Sequence, residues 1–394
     1  MLAFAPKARP TGRIPASETE VGDVTNFVRR ERKRIYSLDA LRGIAVFLMN
    51  EQHVGIWLWR GPNRAAGETI FDYPLLVSFN ALGGGAAPLF VSLAGVGSAL
   101  FVATNRPQTD RTLVRRGLTL MGFGLALNLL TPSWFSWGSW FVLHMMGFAM
   151  ALAPIWRRFS TRSLLALCAV VLLAAVGVQE WLHTPATINN KHMRNVLMPG
   201  GPLRLAVAES QFPILPWLTF YLAGFVSGRW LDRSRPGNVA KLGLAFIGFA
   251  MAGLALLHSG VISHPWLARA FNLHLGFFPA SPAIVGLLLG GALLQIAAMF
   301  EIEKRWSISE NNPLVTLGRI SLTLLMLHVW LFREVSRTVF ITPQRPTGLW
   351  RGLDPLPDLA IIFAFIGLAT ILSRYWQRVG YRFGAEWLLR KVAG

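Results

Sequence analysis

The chain has 394 residues, 53% of them hydrophobic and only 14% charged, with a mean hydropathy of +0.45. Soluble domains carry about 25% charged residues, so this composition excludes a water-soluble globule and predicts an all-α polytopic membrane protein. The single cysteine, Cys168, excludes an internal disulfide, a multi-cysteine zinc site and an iron–sulfur cluster supplied by this chain alone. The net charge of +19 would suit nucleic acid, but the placement of the charges along the chain assigns them to a bilayer.

Residues 1–35 are polar and contain proline, and they end in the run Arg29, Arg30, Arg32, Lys33 and Arg34. No apolar stretch with a small-residue cleavage site follows Met1, so this segment reads as a disordered basic cytosolic tail and not as a signal peptide. The basic run anchors and orients the first helix. The remainder, 36–394, reads as one transmembrane domain.

A spanning helix needs about 20 mostly apolar residues. Ten candidates follow in chain order: 37–59, 85–104, 112–130, 135–156, 162–182, 212–231, 239–258, 280–300, 313–333 and 357–376. The apolar run 74–82 either extends the second or forms a short re-entrant or interfacial piece. With the N-terminus inside, the inner segments hold 26 Lys and Arg and the outer loops hold 10, while Arg42 and Arg319 lie within spans. That bias predicts ten helices with both termini cytosolic, in a bacterial inner membrane. Small residues four apart, Gly224–Gly228 and Gly286–Gly290, allow close helix contact. Packing within the chain is their commoner use and a homodimer seam the sharper one.

Ionisable groups inside a bilayer are costly, so each is a candidate functional residue. The first span carries most of them: Asp39, Arg42, Glu51 and His53. Ser37 is placed to cap this helix, with Asp39 in its first turn. Asp39 and Arg42 are three apart and can pair. Arg42 and His53 are eleven apart, which returns to within about 20° of the same face with a rise of about 16 Å. One stripe thus presents a guanidinium near the cytosol and an imidazole farther out, suited to a long ligand with an anionic end. A structural ion pair and a hydrogen-bonded buried histidine are the plainer reading. Glu51 points elsewhere.

Further candidates lie along the chain. His144 is in the fourth span, Gln179 and Glu180 close the fifth, Gln295 is in the eighth, and Arg319 and His328 are in the ninth. His328 falls at a depth similar to His53, and Arg319 near the depth of Arg42. Two guanidiniums at that level would suit phosphates; pairing of Arg319 with Asp39 is the alternative. His183, His192 and Glu209 share an outer loop but lack metal-ligand spacing, and no metal site is expected. Trp134, Trp137 and Trp140 read first as an interfacial belt, with sugar stacking as a second use.

The stretch from Ser37-Leu38-Asp39-Ala40-Leu41-Arg42-Gly43-Ile44-Ala45 to His53 resembles the first helix of the transmembrane acyltransferases. These include the acyltransferase-3 enzymes, with an Arg-x10-His signature, and the heparan-α-glucosaminide N-acetyltransferase-like proteins. Ala87-Pro88-Leu89-Phe90-Val91 to Gly95, Val142-Leu143-His144-Met145-Met146-Gly147, Phe212-Pro213-Ile214-Leu215-Pro216-Trp217 to Gly224, and Gly318-Arg319-Ile320-Ser321-Leu322-Thr323 to His328 are more similar to the second group. The resemblance implies transfer of an acyl group, usually acetyl, from cytosolic acyl-CoA to a hydroxyl or amine on a sugar-like acceptor, often across the membrane. It implies His53 as catalytic base or acyl carrier. Neutral imidazole, with an ordinary pKa near 6.5, suits proton abstraction. In this reading Asp39, His144 and His328 support catalysis, Arg42 and Arg319 hold acyl-CoA, and His144, His328 or backbone at Gly83–Gly85 would face the oxyanion. A small-anion transporter or channel lined by the same Arg and His residues, or a non-catalytic scaffold, are the rival classes. No related halves are visible in the sequence, which favours the enzyme over the transporter.

Overall fold

The structure is a computed structural model that describes residues 5–6, 34–273, 278–335 and 353–393. The basic run at 29–33 and most of the predicted tail lie outside the described residues. So do residues 336–352, most of the loop that follows the ninth predicted span.

Helices dominate. They are α1 (Tyr36–Leu58), α2 (Pro74–Gly83), α3 (Ala86–Val102), α4 (Thr109–Leu130), α5 (Val142–Ala151), α6 (Ala153–Trp156), α7 (Thr161–Trp181), α8 (Asn190–Met193), α9 (Gly201–Arg204), α10 (Ile214–Asp232), α11 (Pro236–His258), α12 (Pro265–Phe271), α13 (Pro282–Arg305), α14 (Pro313–Gly318), α15 (Ser321–Val329), α16 (Pro355–Arg378) and α17 (Ala385–Ala393). Two π-helical turns, Leu205–Glu209 and Trp330–Val335, follow α9 and α15. The one strand pairing among the described residues joins Ala5–Pro6 to Trp306–Ser307.

Six segments are long and apolar enough to cross a bilayer: Pro74–Val102, Thr109–Leu130, Thr161–Trp181, Pro236–His258, Pro282–Arg305 and Pro355–Arg378. In α4, α7, α11 and α16 at most a third of the apolar window is buried. Exposed Leu129, Leu173, Leu244, Met251, Leu368 and Leu372 line these helices, as lipid-facing surfaces require. The other four predicted spans correspond to helical elements that are more polar, shorter or interrupted. The 23-residue α1 carries Asp39, Arg42 and the run Asn50-Glu51-Gln52-His53. The fourth span becomes helical only at Val142, after an irregular stretch from Thr131. The ninth is broken at Arg319–Ile320. In α10 the helix is kinked at Leu215. The run 74–82 is helical and leads into α3 across Gly84 and Gly85.

Local chemistry sets the ends. Ser160, Ser281 and Asn312 accept a hydrogen bond from the first-turn amides of α7, α13 and α14, and Pro opens α11, α13, α14 and α16. The expected Ser37 cap is corrected. Ser37 is already inside α1, and the cap comes from Glu303 of α13, whose carboxylate accepts from Tyr36 N (2.8 Å) and from Ser37 N and Oγ (3.1 and 2.6 Å).

The polar helix α1 lies at the centre, against α2, α3, α13, α14, α15 and α16. Glycines draw the backbones together. A Cβ at Gly43 would strike the Leu314 carbonyl, and one at Gly318 the Asp39 carbonyl. The two predicted small-residue stripes are both used inside the chain. Gly224 and Gly228 pack on Ser92 and Val96 of α3, and Gly286 and Gly290 pack on α11, so neither presents a free seam for a second copy.

Candidate active site

Near the C-terminal end of α1, two imidazoles meet. His53 Nδ1 lies 2.9 Å from His328 Nε2, and His328 Nδ1 lies 2.9 Å from the Leu324 carbonyl oxygen one turn back on α15. The ring centroids are 5.2 Å apart with 15° between planes, the arrangement of an in-plane N–H···N bond. A carbonyl only accepts, so neutral His328 carries its proton on Nδ1 and offers the Nε2 lone pair. His53 therefore donates from Nδ1, which leaves its Nε2 unprotonated. The tautomers follow from this network. His328 is fully buried, whereas His53 is partly open.

Aromatic rings fix the pair. Trp57, one helical turn beyond His53, lies nearly parallel to both imidazoles, with centroids 4.8 Å from His53 and 5.8 Å from His328. Trp134 stands edge-on to His53 at 5.9 Å and to Trp57 at 4.8 Å. The irregular stretch that delivers Trp134 is tied down. Ser133 N donates to Glu334 (3.0 Å), Arg194 donates to the Pro132 and Ser133 carbonyls, and Arg333 lies over the Trp134 ring. Trp57 was not singled out from sequence, although its i+4 spacing from His53 was there to read.

At the N-terminal end of α1, buried Asp39 is a hub. Its carboxylate accepts from Arg42 (2.8 Å) and Arg34 (2.6 Å), and Arg319 lies 3.9 Å away. Arg319 also reaches Glu310 at 3.7 Å and lies over the rings of Tyr36 and Tyr381. The side chain of Arg42 is about one-third exposed and runs beside Gly97 of α3. The break between α14 and α15 places Arg319 here. Glu386 of α17 caps the resumed helix, accepting from Leu322 N, Thr323 N and Thr323 Oγ1. Burial pushes its carboxyl above the ordinary value, against those hydrogen bonds.

The other candidates are not part of this arrangement. His144 is buried at the start of α5, where its Nδ1 accepts from Phe141 N (3.3 Å), and its ring occupies the space left by Gly124 of α4. Trp134, Phe135 and Phe141 stand in succession between it and His53. Trp140 stacks on His144 and donates to the Phe212 carbonyl, while Trp137 is exposed. Gly83 closes against Leu48 and Gln52 of α1, while Gly84 and Gly85 lie near the Ala81 and Leu82 carbonyls of the preceding turn. In the connection between α7 and α10, fully buried Glu209 accepts from Arg204 (2.5 and 2.7 Å) and Thr184 (2.6 Å), with His192 Nε2 at 2.9 Å. Burial alone would raise this carboxyl; the bonds from Arg204, Thr184 and His192 outweigh it and hold Glu209 below its ordinary value.

A family model described as heparan-alpha-glucosaminide N-acetyltransferase, catalytic, matches residues 34–256, more than half the chain. That stretch contains α1 with Asp39, Arg42 and His53, and His144, but ends before α15 and His328. A search of curated proteins found no match.

Proposed function

This chain belongs to the family of heparan-alpha-glucosaminide N-acetyltransferase catalytic regions, and from that membership we propose that it moves an acetyl group from cytosolic acetyl-CoA to a hydroxyl or amine of a sugar-like acceptor, with His53 as general base. The observation that carries the reading is the hydrogen-bond chain from His53 through His328 to the Leu324 carbonyl. It leaves a basic nitrogen on a ring that is oriented from behind, the pattern that activates a nucleophile.

In the proposed reaction the acceptor O–H or N–H gives its proton to His53 Nε2 as the new C–O or C–N bond forms. The C–S bond of the thioester breaks, and the imidazolium returns the proton to the departing thiolate, giving free CoA. While His53 is charged, its Nδ1–H remains bonded to His328, which shares the positive charge. Arg42 and Arg319, on the cytosolic side of the same helix cluster, would hold the phosphates of the co-substrate by charge-assisted bonds. Arg42 fits this role because it is partly open while Asp39 fixes one of its nitrogens. Ten membrane-crossing segments with both termini cytosolic, in a bacterial inner membrane, complete the proposal.

The test supplies labelled acetyl-CoA to membranes containing the protein. Transfer of label to amino-sugar or glycan acceptors that is lost with His53→Ala at equal expression supports the reading; unchanged transfer overturns it. A single turnover without acceptor separates the two roles of His53. Label retained on the ring assigns an acyl carrier, and its absence assigns a base.

A further inference from the structure

The opposite face of α1 holds a second polar feature. Glu51 is 1% exposed and Asp358 of α16 is 0% exposed. All four of their carboxyl oxygens are buried without a hydrogen-bond partner among the described residues, as is the indole nitrogen of Trp59. Glu51, Gly55 and Trp59 follow one another at four-residue spacing along a single stripe, about 160° around the helix from His53 at the Glu51 end. Asp358 Oδ2 lies 3.8 Å from the position a Cβ would take on Gly55, so the acid of α16 points at the middle of that stripe.

Among the described residues no basic side chain neutralises the pair. The helix α2, which also packs on this face of α1, has no ionisable residue. Along α16 the next ionisable group after Asp358 is Arg374. Beyond the C-terminal end of α1 Arg60 is engaged by Asp354 at 3.1 Å, and His53 looks the other way. An ionised carboxylate buried without a partner is strongly disfavoured. Such groups persist when a proton or a bound cation neutralises them. No third acidic, His or Cys side chain among the described residues joins them in a metal-holding group, which argues against a divalent ion.

We propose that the seam between α1 and α16, built on Glu51 and Asp358, is a binding site for a small monovalent cation, a proton or Na+, separate from the His53 centre. The Arg60–Asp354 ion pair lies at the end of the seam beyond Trp59. The proposal does not depend on acyl transfer.

The test uses N,N′-dicyclohexylcarbodiimide on the full chain in its own membranes. A protonated carboxyl adds its O–H across one C=N bond of the reagent, and the O-acylisourea rearranges to a stable N-acylurea with no leaving group. Peptide mass spectrometry should find this adduct on Glu51 or Asp358. A severalfold fall in labelling as pH rises, the same with Na+ or choline, assigns a proton site. A severalfold fall on replacing choline by Na+ at fixed pH assigns a Na+ site. Absence of the adduct from both residues, or labelling indifferent to both pH and Na+, overturns the proposal. As a second measurement, Glu51→Gln and Asp358→Asn should each remove part of the protonated-carboxyl infrared band if a proton is held, or abolish Na+ protection if Na+ is. A failure here leaves the His53→Ala result untouched, and the reverse holds.

Discussion

His328 determines which nitrogen of His53 is free. With its own Nδ1 committed to the Leu324 carbonyl, it accepts the His53 Nδ1 proton across 2.9 Å and leaves Nε2 of His53 as the basic atom. The consequence is a division of labour that substitution can separate. His53→Ala should lower transfer by about 10²–10⁴-fold, the usual contribution of a positioned base. His328→Phe keeps a ring on Trp57 but removes the acceptor; it should lower kcat by up to about 10⁴-fold, the loss seen when a histidine base is left in the wrong tautomer. Initial rates in membranes at saturating acetyl-CoA measure both. Activity of His328→Phe equal to that of the unmodified protein would show that the second ring does not orient the first.

The arginines at the other end of α1 should affect binding rather than chemistry. Arg42→Ala should raise KM for acetyl-CoA with little change in kcat, the signature of binding energy shared by ground and transition states. Arg319→Ala should do the same and also disturb folding, because Arg319 is more buried and is held by Asp39, Glu310 and two tyrosine rings. Comparison of acetyl-CoA with dephospho-acetyl-CoA identifies the phosphate involved.

Gly318→Ala tests the contact between α1 and α14. The added methyl would overlap the Asp39 carbonyl oxygen, part of a helix backbone that cannot rotate aside. Overpacking of this kind costs about 1–3 kcal/mol, and here it also pushes Arg319 away from Asp39. A lowered Tm in detergent, together with a raised KM for acetyl-CoA, is the expected result. Gly122→Ala, where a Cβ meets open space, is the control.

The Glu209 cluster gives the connection between α7 and α10 a pH dependence. Its carboxyl is held below the ordinary value, so the folded state binds that proton less readily than the unfolded chain. The stabilisation is therefore complete above the unfolded pKa, near 4.5, and is lost as pH falls through the lower folded value. Arg204→Ala leaves a buried carboxylate without its main partner and should cost about 3–5 kcal/mol at neutral pH. Thermal melting of both proteins from pH 7 downward should show the gap narrowing in acid. A gap independent of pH would assign the loss to packing alone.

Local rules made part of this legible in advance. The common face of Arg42 and His53 follows from helix geometry over eleven residues, and the Asp39–Arg42 pair from a spacing of three. The depth of His328 could be read by counting residues through its span. Other features needed partners far away in the chain. Nothing near Ser37 announces that Glu303 will cap α1, or that Glu386 will cap α15 from the C-terminal helix. The break at Arg319 was hidden inside a continuous apolar run, because hydropathy does not register a broken hydrogen-bond ladder. His144 looked like Arg42 and His53 in kind, a polar group in lipid. Its use at the start of α5 depended on the fourth span becoming helical only at Val142, and boundaries are what periodicity specifies least.

The uninterrupted course of α1 from Tyr36 to Leu58 has a bearing on donor choice. Guanidinium and imidazole are mounted on one rod that cannot stretch, at a separation of about 16 Å, and Gly43 locks the rod's inner end against α14. Under the proposed function, such a fixed gauge would measure a thioester from its charged head to its carbonyl. Donors whose arm is lengthened or cut by even a few bonds should register their carbonyl off the imidazole and be passed over, however well their heads are gripped.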